Sequence, residues 1–216
     1  ASHELRTPLT AIKGYVELLE ETEASEEQKK YLSTISMSAE RLSGLVEDML
    51  EVSRIEQGRM SMNLEKLSVE DEIDAAVATL MPVAAKKNLQ LEVEKEAVGN
   101  IQADPTRIRQ IFDNIIGNAI KYTPEGKVQV KLYQEHNRQY IRVVDTGIGM
   151  SEEERKHLFQ KFYRIRNSDT ENIIGTGLGL WITKQIIEKM GGQITVESIK
   201  GVGSHFILDF PLIEEN

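Results

Sequence analysis

Asp104-Pro105-Thr106-Arg107-Ile108-Arg109-Gln110-Ile111-Phe112-Asp113-Asn114-Ile115-Ile116-Gly117-Asn118-Ala119-Ile120-Lys121-Tyr122 decides the fold of the larger part of this chain. Asp before Pro starts a helix, with Asp as N-cap and Pro in the first helical position. Ile108, Ile111, Phe112, Ile115, Ile116 and Ala119 recur at helical spacing and form its buried face. The other face carries Asn114, Asn118, Lys121 and Tyr122. Two amides, an ammonium and a phenol suit a bound polyphosphate, because amide oxygens are hard ligands for magnesium and Lys meets phosphate as a point charge. A solvated helix face would read the same way, and the Asn pair alone does not decide between the two.

Beyond this helix, Thr123-Pro124-Glu125-Gly126 is a turn. Residues 127–134 and 139–144 alternate with period two and predict a β-hairpin. Its second strand runs into Asp145-Thr146-Gly147-Ile148-Gly149. There a strand-end carboxylate sits beside backbone that a flat ligand can approach closely, although a plain β-to-α turn has the same composition. Ser151 caps a short helix with Glu152, Glu153 and Glu154 in its first turn. Phe159, Phe162, Tyr163 and Arg164 follow, then an aperiodic polar loop over 166–174. Gly175-Thr176-Gly177-Leu178-Gly179-Leu180 leads into a helix with Ile182, Ile186, Ile187 and Met190. Glycines ahead of a helix N-terminus let backbone N–H groups meet an anion. The pattern is neither a P-loop, lacking the Lys-Ser/Thr that would follow, nor a dinucleotide fingerprint, lacking the strand that would precede it. Strands at 193–199 and 205–212 flank Lys200-Gly201-Val202-Gly203 and close the unit.

On the N-terminal side, residues 99–103 and 89–94 predict short strands. Ser68 is expected to cap a helix running to about Lys87. Residues 58–67 read as a short strand or an extended connection. Before them, Leu5, Leu9, Ile12, Val16 and Leu19 are spaced 4, 3, 4, 3, and Leu32, Ile35, Ala39, Leu42, Val46 and Met49 repeat that alternation. Between the two runs, Ser25 and Gln28 fit a capping box, and Gly58 ends the second helix. This predicts an antiparallel helical hairpin. A hairpin alone buries little, so a homodimer making a four-helix bundle is expected. With Leu5 and Leu9 inward, His3 and Thr7 fall one turn apart on the outward face. Pro8 should kink the first helix just below His3. From its own eight residues, His3 reads as an ordinary surface histidine.

Bulk properties narrow the function. The net charge of −9 over 216 residues argues against a general nucleic-acid binder, and the absence of Cys excludes disulfides and thiolate metal sites. No apolar run reaches the roughly 20 residues of a membrane span. The start without Met, almost on a motif, suggests a soluble piece of a longer protein. Its N-terminal part could hold a membrane anchor or a sensor.

Asn114…Asn118-Ala119-Ile120-Lys121-Tyr122, Asp145-Thr146-Gly147-Ile148-Gly149, Phe159…Phe162-Tyr163-Arg164 and Gly175-Thr176-Gly177-Leu178-Gly179-Leu180 occur in that order after Ser2-His3-Glu4-Leu5-Arg6-Thr7-Pro8-Leu9. Together they resemble the motif set of bacterial two-component sensor histidine kinases, whose nucleotide domain is of the gyrase/Hsp90/MutL-like ATPase superfamily. Each motif alone is weak to moderate, whereas five in order across essentially the whole chain are highly specific.

The resemblance implies an α + α/β fold class. A dimerisation and histidine-phosphotransfer hairpin at 1–58 and a linker at 59–67 precede an ATP-binding catalytic domain at 68–216. That domain would be a two-layer α/β sandwich, its mixed, mostly antiparallel sheet of about five strands carrying three helices on one face. By matching positions, Asn118 is similar to the magnesium ligand, assisted by Asn114. Lys121 is similar to a phosphate contact and Tyr122 to a nucleoside-side contact. Asp145 would accept from the adenine amino group, and Gly147 and Gly149 would shape its pocket. Arg164 would approach the terminal phosphate. Gly175, Gly177 and Gly179 would form a lid hinge and phosphate cradle, with Thr176, Leu178 and Leu180 also counted as cofactor-binding. The sequence departs from the family in Gly201-Val202-Gly203-Ser204-His205, where a threonine-rich stretch is common, and in starting at the histidine motif.

The implied activity is that of an ATP- and Mg2+-dependent transferase in a signal-transducing phosphorelay. His3 would attack the γ-phosphorus, Glu4 would orient its ring and take the proton, and the phosphoprotein would hand its phosphoryl group to an aspartate of a response regulator receiver domain. In this family a Thr four residues after the His goes with phosphatase activity, which assigns Thr7. The parent would sit in the cell membrane with this part on the cytoplasmic side. The rival from another class is an ATP-dependent interaction module without autophosphorylation. An ATPase would need a carboxylate to activate water, and near Asn114 only Asp113 is available.

Overall fold

The computed structural model describes residues 2–20, 25–165, 170, 173 and 175–213, with side chains of the first helix from Leu9 to Leu19. The chain divides into two compact units, one of Ala1–Met60 with Ile174–Leu178 and the other of Ser61–Ile173 with Gly179–Asn216.

The first unit is built on helices α1 (Ser2–Glu20) and α2 (Glu26–Glu56). α2 starts in the expected capping box: Gln28 N donates to Ser25 Oγ at 3.3 Å and Ser25 N to Gln28 Oε1 at 2.8 Å. It ends where Gly58 takes φ 66 and lets Arg59 N reach Arg54 O at 2.8 Å. The apolar seam expected from the 4, 3 spacing resolves into two rows. Leu9, Val16, Leu32, Ala39 and Val46 are buried within the pair. Ile12, Leu19, Ile35, Leu42 and Met49 alternate with them and stay 44–50% exposed. The helix through residues 2–8 is continuous, and the side chains of His3, Glu4, Thr7 and Pro8 lie outside the described residues.

In the second unit, β1 (Glu65–Leu67) pairs antiparallel with β3 (Ile101–Ala103). The main sheet is formed by β2 (Gln90–Lys95), β4 (Lys127–Glu135), β5 (Arg138–Asp145), β6 (Gln193–Ile199) and β7 (Gly203–Pro211). Its order is β2-β4-β5-β7-β6, with β2 parallel to β4 and every other pairing antiparallel. Alternate residues Val128, Val130 and Leu132, Ile141 and Val143, and Phe206, Leu208 and Phe210 point into the core. They meet α3 (Val69–Lys86), α4 (Pro105–Tyr122) and α6 (Gly179–Lys189). The other face is wet and carries ion pairs such as Lys131–Glu94 at 2.8 Å and Arg142–Glu197 at 2.6 Å. A six-residue helix, α5 (Glu152–His157), follows β5 from a capping box on Ser151.

The α4 N-cap forms as expected, Asp104 accepting from Arg107 N at 3.2 Å. Its second oxygen accepts from Asn63 N at 2.8 Å and ties the incoming segment to the same cap. Ser68 does precede α3, but its side chain makes no cap hydrogen bond. Of the connection over 58–67, only Glu65–Leu67 is strand, because β3 offers a short edge. The last strand begins at Gly203, two residues earlier than its alternation suggests, since Gly203 and Ser204 pair with Ile199 and Ser198.

Phe112 is fully buried beneath the sheet. Phe112→Ala should lower unfolding free energy by about 3–5 kcal/mol, read from urea unfolding at Trp181, the chain's single tryptophan.

Candidate functional site

The site grows from the last two turns of α4. Asn114 and Asn118 lie on its half-buried face. Asn118 Nδ2 donates to Asn114 Oδ1 at 3.2 Å, and Asn114 Nδ2 donates to Thr183 Oγ1 on α6 at 2.7 Å. Gly179, the first residue of α6, packs so closely that an added Cβ would stand 2.7 Å from Asn114 Oδ1. These bonds fix both amides and turn the Asn118 carbonyl oxygen away from Asn114. Further along, Lys121 Nζ lies 5.7 Å from the Tyr122 ring centroid. Burial, followed by the positive charge of Arg164, pulls the Lys121 ammonium below its ordinary pKa. Burial pushes the Tyr122 phenol up, against a smaller opposing effect of Arg164. Lys121 and Arg164 thus make a cationic zone beside the helix. Arg164 Nη2 donates to Ile173 O at 2.5 Å.

α4 ends in a cluster of polar anchors. Lys87 Nζ, just past α3, donates to the carbonyls of Ile120, Lys121 and Thr123 at 2.7, 3.1 and 2.8 Å. A cation there compensates the negative end of the helix dipole. Thr123 Oγ1 donates to Ala119 O at 2.7 Å.

Asp145 closes β5 and is 5% exposed. Its Oδ1 accepts from Gly147 N at 2.8 Å and from Ser204 N at 3.2 Å. Burial pushes its carboxyl above the usual range, opposed by those two N–H groups and by His205. Ile148 N donates to Tyr122 O at 3.2 Å, so the glycine loop is hooked onto the end of α4. Gly147 is required by space, because a Cβ would meet Tyr122 O at 2.4 Å. Gly149 is required twice over: its φ is 59 and a Cβ would fall 2.0 Å from Ile199 O. An open cleft of about 360 Å³ is lined by Pro124, Glu125, Thr146, Gly147, Ile148, Lys200 and Gly201.

The structure therefore brings Asn114, Asn118, Lys121, Tyr122, Asp145, Gly147, Gly149 and Gly179 around one helix end, with Leu180 following Gly179 in α6. Phe159 lies under the Lys184 ammonium at 5.5 Å, and Phe162 takes φ 62, an unusual conformation for so bulky a residue. Gly175, Thr176, Gly177 and Leu178 fall in the first unit. There Thr176 Oγ1 donates to Asp48 Oδ2 at 2.6 Å, and burial raises the Asp48 pKa. Most of the loop over 166–174 lies outside the described residues.

Sequence reasoning missed Thr183, Lys87 and Ser198. Thr183 stands on the α6 stripe beside Ile182, three and four residues before Ile186 and Ile187, and a hydroxyl on a buried stripe is a readable signal. Lys87 bonds carbonyls more than thirty residues away, which no local pattern announces.

The "Histidine kinase-, DNA gyrase B-, and HSP90-like ATPase" family matches residues 103–214, and the "His Kinase A (phospho-acceptor) domain" family matches residues 1–58. The chain is 38% identical to the sensor protein GacS of Pseudomonas syringae pv. syringae, over 98% of this chain and 24% of that protein. Full-length ShkA, solved in complex with AMPPNP, superposes with TM-score 0.83 at 31% identity, covering 97% of this chain and 44% of that one. The crystal structure of histidine kinase ThkA in complex with the response regulator protein TrrA gives TM-score 0.70 at 26% identity, over 98% and 59%. The chain spans about a quarter of the length of the curated relatives it matches.

The glycine geometry is directly testable by thermal or urea unfolding. Gly201 also has a positive φ, but nothing lies within 4 Å of its added Cβ. Gly201→Ala should cost about 1 kcal/mol, whereas Gly149→Ala should cost about 3 kcal/mol because strain and a backbone clash add.

Proposed function

The chain belongs to the histidine kinase family, and from that premise we propose that it moves a phosphoryl group from ATP to His3 and then to an aspartate of a response regulator. The observation that carries the reading is the frame joining Asp145, through Ile148 and Tyr122, to the helix bearing Asn118 and Lys121. It sets a carboxylate suited to an adenine amino group beside a cationic zone suited to phosphates. The likeness to ShkA, solved with AMPPNP, supports an ATP site.

In the proposed reaction the unprotonated imidazole nitrogen of His3 attacks the γ-phosphorus in line. The bond to the β–γ bridging oxygen breaks, ADP leaves, and Glu4 takes the ring proton. Catalysis is positioning and charge neutralisation. Asn114, itself held by Thr183, holds Asn118 in place, while Lys121 and Arg164 face the phosphate charge. On this reading Gly175, Gly177 and Gly179 would form the lid hinge and phosphate cradle, with Thr176, Leu178 and Leu180 also contacting the cofactor. Magnesium fits the donor set. The Asn118 amide nitrogen is engaged, which leaves its carbonyl oxygen for a hard cation, and no cluster of three acidic or His side chains forms a cage among the described residues. An ion held largely by phosphate and water needs no such cage. Bound at Asn118, it would supply neutralisation of the phosphate charge.

Thr7, one turn from His3, would position water for dephosphorylating the regulator. The regulator as partner is supported by the ThkA–TrrA complex. The half-exposed row Ile12, Leu19, Ile35, Leu42 and Met49 is the face on which a second copy closes a four-helix bundle. Domain limits at 1–58, 59–67 and 68–216 follow from the same reading. No helix among the described residues is long and apolar enough to cross a membrane. A membrane anchor, with this core on its cytoplasmic side, belongs on this reading to another part of the parent.

Incubation with γ-labelled ATP and magnesium should give acid-labile, alkali-stable label. It should vanish in His3→Gln and in Asn118→Ala; equal label on His3→Gln would sink the acceptor assignment, and normal label on Asn118→Ala the metal assignment. ATP affinity should also depend on pH in two limbs. Ionised Asp145 is the acceptor and its pKa is raised, so affinity is lost as pH falls, at a higher pH than for an ordinary aspartate. Protonated Lys121 is the phosphate contact and its pKa is lowered, so affinity is lost as pH rises, before an ordinary lysine would titrate. Calorimetric titration with a non-hydrolysable ATP analogue measures both limbs; a profile bounded by ordinary Asp and Lys values would contradict the site.

A further inference from the structure

We propose that Ser198 is a positioning residue for nucleobase selection, its hydroxyl holding the Asp145–Met150 loop in the shape that lets Asp145 choose adenine over guanine. This rests on the reading of Asp145 as the base acceptor.

The loop has two glycines in its five residues after Asp145 and cannot set its own shape. One side is held by Thr146 N to Lys127 O at 3.2 Å and Ile148 N to Tyr122 O at 3.2 Å. On the other side the holding groups come from the β6–β7 connection. Ser204 N donates to Asp145 Oδ1 at 3.2 Å, and Gly201 N donates to Ile148 O at 2.7 Å. Met150 N donates to Ser198 Oγ at 2.8 Å. That same hydroxyl donates to Gly203 O at 2.9 Å and stands 3.0 Å from Ser204 Oγ. One oxygen thus joins the end of the loop to the two residues that present the N–H held by Asp145. A serine serving only its own turn would need the Gly203 bond alone; the bond to Met150 crosses 48 residues of sequence.

Backbone packing leaves little slack between the partners. A Cβ on Gly149 would fall 2.0 Å from Ile199 O, and one on Gly203 2.0 Å from Asp145 O. Loss of the hydroxyl therefore lets the connection shift as a whole, and the carboxylate moves with Ser204. Adenine offers an amino donor to that carboxylate, and guanine presents a carbonyl oxygen at the same ring position. Rejection of the wrong base depends on an acceptor held where the repulsion is felt. A displaced Asp145 both binds adenine less well and rejects guanine less well. General loosening would weaken both nucleotides alike.

The test compares dissociation constants for ATP and GTP in the full chain, wild type against Ser198→Ala, Ser198→Cys and Ser198→Thr, with thermal melts to confirm folding. Ser198→Cys keeps the bulk with a weak acceptor and serves if the alanine variant does not fold. The proposal expects ATP to weaken about tenfold in both, as for one lost bond to a buried N–H. It also expects the GTP-to-ATP ratio of dissociation constants to fall by about tenfold, with Ser198→Thr restoring it. An unchanged ratio, or an equal loss for both nucleotides, in the folded variants overturns it. Asp145→Asn separates the two levels: if it leaves ATP binding intact, the base-acceptor reading fails and the proposal with it. If it abolishes selectivity while Ser198→Ala does not, the proposal alone fails.

Discussion

A carboxylate that is 5% exposed has to be hydrogen-bonded, and the need to satisfy Asp145 organises one end of the main sheet. One oxygen is met by backbone N–H groups from opposite directions, Gly147 two residues ahead and Ser204 on the neighbouring strand. Those bonds require β5 to end where β7 begins and the chain to double back within two residues. Only glycine fits at 147, at 149 and at 203, because in each case a Cβ would meet backbone oxygen closer than 2.5 Å. The geometry that makes the carboxylate tolerable also makes it rigid, and a rigid buried acceptor discriminates better than a solvated one.

α4 links this loop to the core. Its inward face is a continuous row of Ile and Phe under the sheet, which fixes the helix in rotation and height. With the helix fixed, the polar face is fixed too, and several of its groups are met by partners from elsewhere: Thr183 for Asn114, Ile148 for the Tyr122 carbonyl, Lys87 for the carbonyls of the last turn. Burial first, and then the Arg164 charge, pull the Lys121 ammonium below its ordinary pKa. The helix is thus preorganised in its neutral contacts, while its half-buried ammonium is favoured by an anion beside it.

What could be read in advance was what local spacing encodes. The 3.6-residue period of α4, the alternation of β4 and β5, and the caps at Ser25, Asp104 and Ser151 all formed as expected, because periodicity is carried by neighbouring residues and each cap is a bond within a few residues. Ser68 shows the limit: the residue type marks the helix start, but the cap bond is not made. Asn114 and Asn118 were legible as a pair, while Thr183 and Lys87, which hold the helix that carries them, were not. Their bonds span 69 and 33 residues, and only the tertiary fold brings them in. Ser198 was hidden for the same reason, since its Met150 partner sits on another strand's exit loop.

The helical unit obeys a different constraint. Its 4, 3 spacing encodes twice the apolar surface that two helices can bury in each other. The buried row of Leu9, Val16, Leu32, Ala39 and Val46 uses one half; the alternating row stays 44–50% exposed. Burying a Leu or Ile fully is worth roughly 1.5–3 kcal/mol, so five half-buried side chains leave several kcal/mol unrealised along one face. Two helices in isolation have little else to hold them, because most helical stability in proteins comes from packing an amphipathic face rather than from propensity. A second copy presenting the same row, related by a two-fold axis, uses that surface without any further sequence requirement. Stability of the hairpin and its pairing are then one equilibrium, and it follows that protein concentration, which leaves the sheet-bearing unit untouched, sets how much of the helical unit is folded.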